Sequence, residues 1–257
     1  QYVRALHEAK PRFFLYENNK SMSAAIRASI TETFGFEPIL INSALVSAQN
    51  RQRLYWCGIR QADGTYKKAD IQQPADRGIL LKDILETGVT WRDKSHTITA
   101  TESKGSSLQH CLEKHIRTQI AEPVCVDQSG RYDESGKVYQ HYEAQPTGKT
   151  NNLTTVSKDN LIAVNITKDG KAGTLSATKA ASIYEVKDGF ITVKGNKYPI
   201  KLVDGFYNIR KLTVRECMRL QTVPEWYEWP VSKSQAYKML GNGWTVEVIA
   251  HLLRGLK

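Results

Sequence analysis

The sequence predicts two architectures in one chain: an α/β domain at its N-terminal end, then a β-rich domain, with helix returning at the C-terminal end. Three observations carry this. Within residues 1–60 a buried-strand run, a helical period and two more strand runs follow one another, which is the order of an α/β sheet. After Ile84-Leu85 the texture turns to Ser, Thr, Gly, Lys and Asp with short alternating runs. From Leu212 the helical period comes back. A length of 257 residues allows one large domain or two small ones.

Each element has a local reason. Residues 1–9 read as helix, stopped by Pro11, because proline disfavours helix in the residue before it. Arg12-Phe13-Phe14-Leu15-Tyr16 reads as a buried strand that ends at Glu17-Asn18-Asn19. Met22, Ala25, Ile26, Ile30 and Phe34 mark a helix over 21–34, with Ser21 or Ser23 as its cap and Gly35 as its stop. Pro38-Ile39-Leu40-Ile41-Asn42 and Leu54-Tyr55-Trp56-Cys57-Gly58-Ile59 read as strands. In the β-rich region, Lys187-Asp188-Gly189 between Ile183–Val186 and Phe190–Val193 signals a hairpin, which Tyr198–Leu202 extends. His96–Thr101, Gly173–Thr178 and, more loosely, Asn152–Val156 resemble one another as Thr-rich strand segments. Thr213 with Glu216 three residues on forms a capping box for a helix over Val214–Gln221, which stops before Pro224. Ser234–Leu240 reads as helix, Gly241-Asn242-Gly243 as a turn, and Thr245–Leu256 as a final apolar helix.

Composition narrows the function. Lys and Arg number 36 against 26 Asp and Glu, a net charge of +10. The excess is spread along the chain rather than gathered in a tail. Such a surface suits DNA or RNA; a soluble basic protein with no such partner is the plain alternative. Cys57, Cys111, Cys125 and Cys217 match no zinc spacing, and free thiols in a reducing cytoplasm are expected. His110, Cys111 and His115 read as incidental on one helix, so no metal is expected. No apolar run approaches a membrane span. The first residue is Gln1 rather than Met, and the opening reads as the middle of a helix. The chain is therefore expected to begin partway through a longer protein or complex.

Three local patterns carry chemistry. Glu17 follows a buried strand, and strand C-termini of α/β sheets are where ligands bind. A carboxyl group there can sit dry and keep a proton; a solvated loop residue is the alternative. Gln49, Arg51 and Arg53 in an extended segment point to one side. Two guanidiniums on one face suit phosphate or a base edge, or else form an exposed basic strand edge. The third pattern is Arg210-Lys211-Leu212-Thr213-Val214-Arg215-Glu216-Cys217-Met218-Arg219-Leu220-Gln221-Thr222-Val223-Pro224, followed about twenty residues on by Gly241-Asn242-Gly243-Trp244-Thr245-Val246.

Together, in this order, these motifs resemble the C-terminal half of DNA (cytosine-5) methyltransferases. Tyr16-Glu17-Asn18 resembles the family's ENV motif, with Asn19 where Val usually follows. Gln49-x-Arg51-x-Arg53 resembles its QxRxR motif, and the later runs its ninth and tenth motifs. Trp244 departs from the commoner GNAV form and is closer to the de novo branch. The resemblance covers about 105 residues in several blocks.

The resemblance implies a partial Rossmann-like methyltransferase sheet with helices, plus a β-rich target recognition domain. Residues 1–87 would be the later part of the catalytic α/β domain, 88–234 the recognition domain, and 235–257 a C-terminal helix returning to the catalytic domain. It implies S-adenosyl-L-methionine as cofactor and double-stranded DNA as partner, with a cytosine flipped out of the duplex. Glu17 would be the acid at cytosine N3, and Arg51 and Arg53 would hold O2 or the backbone phosphate. Asn18 and Gln49 would lie on the substrate side, and Asn242 and Trp244 would line the cofactor pocket, with a core Trp as the alternative. The sequence contains no Pro-Cys nucleophile motif and no Gly-rich cofactor loop. Its nearest form, Pro123-Val124-Cys125, falls in the recognition region, and Cys57 and Cys217 read as structural thiols. The missing parts are expected before Gln1 or on a second polypeptide, so the chain alone is not expected to methylate DNA. A non-catalytic DNA-recognition subunit and an RNA cytosine-5 methyltransferase stay open. A cytoplasmic, nucleoid-associated location would follow in a prokaryote.

Overall fold

The computed structural model describes residues 1–123, 126–132, 138–144, 160–161 and 183–256, with backbone alone for the three pieces between 126 and 161. In chain order the elements are α1 (Tyr2–Ala9), β1 (Phe13–Asn19), α2 (Ala24–Phe34), β2 (Ile39–Asn42), β3 (Gln52–Arg60), β4 (Tyr66–Lys68), α3 (Leu81–Ile84) and α4 (Leu108–Lys114). Next come β5 (Gln119–Pro123), β6 (Val126–Tyr132), β7 (Val138–Ala144), β8 (Asn160–Leu161), β9 (Ile183–Lys187), β10 (Phe190–Val193), β11 (Asn196–Pro199) and β12 (Gly205–Lys211). Helices α5 (Val214–Leu220), α6 (Lys233–Asn242) and α7 (Val246–Gly255) close the chain. The chain forms two compact units. The first holds Gln1–Leu80, His96–Ala100 and Cys217–Lys257, and the second Leu81–Ser95 and Thr101–Glu216.

The first unit is built around β3. Strands β1 and β2 both pair antiparallel to it, so the sheet order is β1-β3-β2, with β4 added along the end of β3. Successive β3 side chains alternate between faces. Leu54 and Trp56 pack with Leu6 of α1, Phe14 and Phe34 of α2. Tyr55 and Cys57 pack with Ile39, Ile41 and, from α7, Val248 and Leu252. Helices thus cover both faces, which is why β3 reads as an unbroken apolar run. Gly58 stands opposite Phe14, and a Cβ there would lie 2.1 Å from Phe14 Cε1. Ser23 caps α2 by accepting from the Ile26 amide at 3.3 Å, and Gly35 ends it at φ 79°.

The second unit holds a five-stranded antiparallel sheet, β11-β10-β9-β12-β5. The predicted hairpin forms, with Asp188 at φ 52° and Gly189 at φ 77°, both central turn residues being left-handed as a two-residue hairpin requires. Its core gathers Leu108, Ala121, Val186, Ile191, Val193 and Tyr207. Strands β6, β7 and β8 form a separate antiparallel sheet. The capping box is present: Glu216 N donates to Thr213 Oγ1 at 3.1 Å and Thr213 N to Glu216 Oε2 at 2.8 Å. The fully buried Glu216 also takes a fork of two bonds from Arg210, at 2.8 and 2.9 Å. Arg210 Nε reaches Glu122 at 2.7 Å.

Several details differ from the sequence reading. β1 runs on through Glu17 to Asn19, because pairing with β3 carries it past its apolar part. His96–Ala100 forms no strand and counts with the first unit, where Ile98 is buried. Its relatives Asn152–Val156 and Gly173–Thr178 lie outside the described residues. Gly241 and Asn242 are the last residues of α6 rather than a turn, and Gly243 follows in an extended conformation. No helix among the described residues is long and apolar enough to cross a membrane.

Burial pushes the Glu122 carboxyl up, but hydrogen bonds from Arg210, Thr87 and Asn208 outweigh it and leave the group below its ordinary value. A carboxylate lowered in the fold stabilises it fully above the unfolded value of about 4.3, and that contribution fades as pH falls through the folded value. Urea midpoints are expected to fall on acidification below about pH 4.5, and less steeply in Glu122→Gln. Glu216→Ala, which strands a mostly buried guanidinium, is expected to cost about 3–5 kcal/mol in urea unfolding at pH 7.

Candidate active site

The β1–β3 register places Asn19 opposite Arg53 and Glu17 opposite Tyr55. Register partners share a face of the sheet, so Glu17 and Arg53 point the same way. Their side chains meet, with Arg53 Nε 2.9 Å from Glu17 Oε1. Only 14% and 19% of the two side chains is exposed, so water screens the pair far less than it does a surface salt bridge. Beside it lies a cavity of about 460 Å³ lined by Lys20, Ser21, Asn50, Gln52, Arg53 and Thr97. That size suits one small ligand. Two cations, two amides and two hydroxyls suit a polar, anionic one such as a nucleotide.

Gln49 and Arg51 lie just ahead of β3 and do different work from Arg53. Both are buried. They bracket the Ile98 peptide: Gln49 Oε1 accepts from Ile98 N at 2.9 Å, and Arg51 donates to Ile98 O at 3.2 Å. Arg51 also donates to Gly241 O at 3.3 Å and Gly243 O at 2.8 Å. Burial, then the like charge of Arg53, lowers the Arg51 guanidinium to about 10, with Glu17 pulling the other way. It stays cationic at neutral pH. Its donors are turned to backbone carbonyls, whereas Arg53 faces the cavity.

Asn18 alternates to the opposite face of β1 from Glu17 and accepts from the Asn19 amide at 2.8 Å. Asn242 and Trp244 are both exposed, Trp244 by half. They sit where α6 ends, one on each side of Gly243, whose carbonyl Arg51 holds. An exposed ring face and an amide fit the purine edge of an adenosyl cofactor, and these are the two side chains here that would hold one. Cys57, Cys111 and Cys217 are all buried. Burial pushes the Cys57 thiol up to about 12, away from the nucleophilic thiolate. Pro123-Val124-Cys125 lies outside the described residues beyond Pro123. Among the described residues no group of three or more His, Cys, Asp or Glu could hold a metal ion.

Of the joined acid and guanidinium, Arg53 lines the cavity, and the whole chain, residues 1–257, matches the model of the C-5 cytosine-specific DNA methylase family. The chain belongs to that family. It is 24% identical to the orphan methyltransferase M.SPRI of Bacillus phage SPR over an alignment of 337 residues, covering 100% of this chain and 75% of that protein. It is 25% identical to the type II methyltransferase M1.ScrFI of Lactococcus lactis subsp. cremoris, over 97% of this chain and 52% of that one. Among solved structures, a Spodoptera frugiperda DNMT2 mutant aligns over 100% of this chain and 71% of its own, with 16% identity and a TM-score of 0.47.

Within this family member, sequence reasoning missed Lys20, Ser21, Asn50, Gln52 and Thr97 as cavity residues. Lys20 and Ser21 directly follow Glu17-Asn18-Asn19, so proximity was a usable signal for them. Nothing local announces that Thr97, set within a β-rich texture, returns to the first unit. It also missed why Gly241 is glycine. A Cβ there would lie 2.1 Å from Thr99 C and 2.2 Å from Ala100 N, so the residue serves close backbone approach rather than a positive φ. Gly241→Ala forces backbone apart and is expected to destabilise the protein by about 1–3 kcal/mol or more, read as a lowered melting temperature.

Proposed function

We propose that this chain supplies the base-gripping part of a DNA cytosine-5 methyltransferase. The reaction moves a methyl group from S-adenosyl-L-methionine to C5 of a cytosine flipped out of duplex DNA. The observation that carries the reading is the Glu17–Arg53 pair beside the cavity. Cytosine presents N3 and O2 on adjacent ring atoms. An acid and a guanidinium held 2.9 Å apart match that edge, Glu17 at N3 and Arg53 at O2.

Cytosine C6 is a poor electrophile. A proton shared from Glu17 to N3 draws electrons out of the ring, so a thiolate can add at C6; this is general-acid work. Arg53 stabilises the negative charge that develops on O2. Lys20 and Ser21 line the cavity where the extruded nucleotide's phosphate would lie, and Gln52 and Asn50 line its wall. Flipping costs a few kcal/mol, which contacts between this basic chain and the phosphate backbone offset. The second unit would supply groove contacts as the target recognition domain. The thiol would come from a Pro-Cys segment, and the Gly-rich loop from the same polypeptide. When bound, S-adenosyl-L-methionine supplies an electrophilic methyl group; Asn242 and Trp244 would hold its adenosyl end.

The test is methyl transfer to duplex DNA by the protein together with the polypeptide bearing Pro-Cys and the Gly-rich loop, with an RNA arm alongside. Glu17→Gln is expected to lower the rate by about 10²–10⁴-fold, and Arg53→Lys also to impair it, since a point charge cannot replace the fork. An unchanged rate in Glu17→Gln removes the acid assignment. Transfer to RNA alone would make this an RNA enzyme.

A further inference from the structure

The last carbonyls of a helix and the first amides of the next have no partners within their own helices. At the α6–α7 junction one corner of the chain, Gln221-Thr222, supplies many of them. Gln221 Nε2 donates to Leu240 O at 2.6 Å and to Gly243 O at 3.2 Å. Its Oε1 accepts from Thr245 Oγ1 at 2.8 Å and lies 3.5 Å from Gln49 Nε2. Both protons and both lone pairs of the amide are engaged, on a side chain 1% exposed. The Gln221 carbonyl accepts from Val246 N at 2.9 Å, and Thr222 Oγ1 accepts from Glu247 N at 2.9 Å.

Thr222 ends α5 at φ 53°. Val223 N reaches back to Met218 O and Thr222 N to Arg219 O, a helix ending that ordinarily carries glycine at this position. A β-branched residue there is strained. Glycine would relieve the strain and lose the hydroxyl that caps α7. The corner therefore keeps strain in exchange for control of where α7 begins. What it controls is the Gly241–Thr245 segment that exposes Asn242 and Trp244. Through Gln49, four residues ahead of Arg53, it also reaches the strand of the acid–guanidinium pair.

We infer that Gln221 is a positioning residue: with Thr222 it holds the segment bearing Asn242 and Trp244 in register with the strand bearing Arg53, so that the cofactor is placed against the gripped base. This rests on the proposed reading of that segment as the cofactor side. Gln221→Met keeps the length of the side chain and removes both donors.

In the intact methyltransferase, Gln221→Met is expected to weaken S-adenosylhomocysteine binding by calorimetry about tenfold, with KM for DNA within about twofold. Amide exchange at Gly243 and Val246 should quicken while that of β3 does not. Unchanged S-adenosylhomocysteine affinity in the folded variant, with only a lower melting temperature, overturns the inference, because a purely structural residue would behave so. Should Gln221→Met fail to fold, Thr222→Gly is the second arm. It relieves strain, so stability is kept, yet the Glu247 amide should exchange faster and the cofactor product bind less well; full affinity in that variant overturns the inference too. If the unsubstituted enzyme binds no S-adenosylhomocysteine, the reading of the segment falls and takes this inference with it. Binding by the unsubstituted enzyme that neither variant alters defeats the inference alone.

Discussion

A buried cation that cannot leave organises the first unit. The Arg51 guanidinium is 4% exposed and meets three backbone carbonyls from two distant parts of the chain, at Ile98, Gly241 and Gly243. Burying an ion costs several kcal/mol, and each charge-assisted bond to a carbonyl returns about 1.5–3 kcal/mol. The balance closes only if all three carbonyls are in place. Arg51 thus penalises any arrangement in which the segment over 96–100 or the end of α6 drifts from β3. It also stands near the negative end of the α6 dipole, where a cation is favoured.

The second unit solves the same problem with different chemistry. Arg210 meets two carboxylates, Glu122 and Glu216, in addition to the carbonyls of Thr87 and Lys211. Its ties run to Glu122 on the neighbouring strand, to Glu216 of the helix cap and to Thr87. Arg53 is the third case. It has one carboxylate, Glu17, and one side on a cavity. Its Nη1 also donates to the Gln52 carbonyl at 2.9 Å, and of the three arginines it is the one that lines the cavity.

Much of this was legible from residue order. The apolar run Leu54–Ile59 located β3, and the structure divides it, Leu54 and Trp56 on one face and Tyr55 and Cys57 on the other. Asp188-Gly189 named its turn, and Thr213 with Glu216 named its capping box. Spacing singled out Gln49, Arg51 and Arg53 together. It did not divide their work, because whether an arginine meets carbonyls or a carboxylate depends on what the chain returns to that place. Gln221 was read as the end of a helix and a member of the ninth-motif run, with no contacts assigned, since its four partners lie on segments that sequence leaves unconnected.

What the sequence by itself determined are the features set within a turn or two of the backbone: strand alternation, helix caps, the hairpin, and a motif order that resembles one methyltransferase family. Those follow from local sterics and hydrogen bonding, which act over about four residues. The tertiary structure alone decided that Glu17 meets Arg53, that residues 96–100 return to the first unit, and that Gln49 and Gln221 share one buried network across 172 positions. These contacts exist only after the chain has closed its loops, and the entropy of closing them is offset by burial of the whole unit rather than by any one motif.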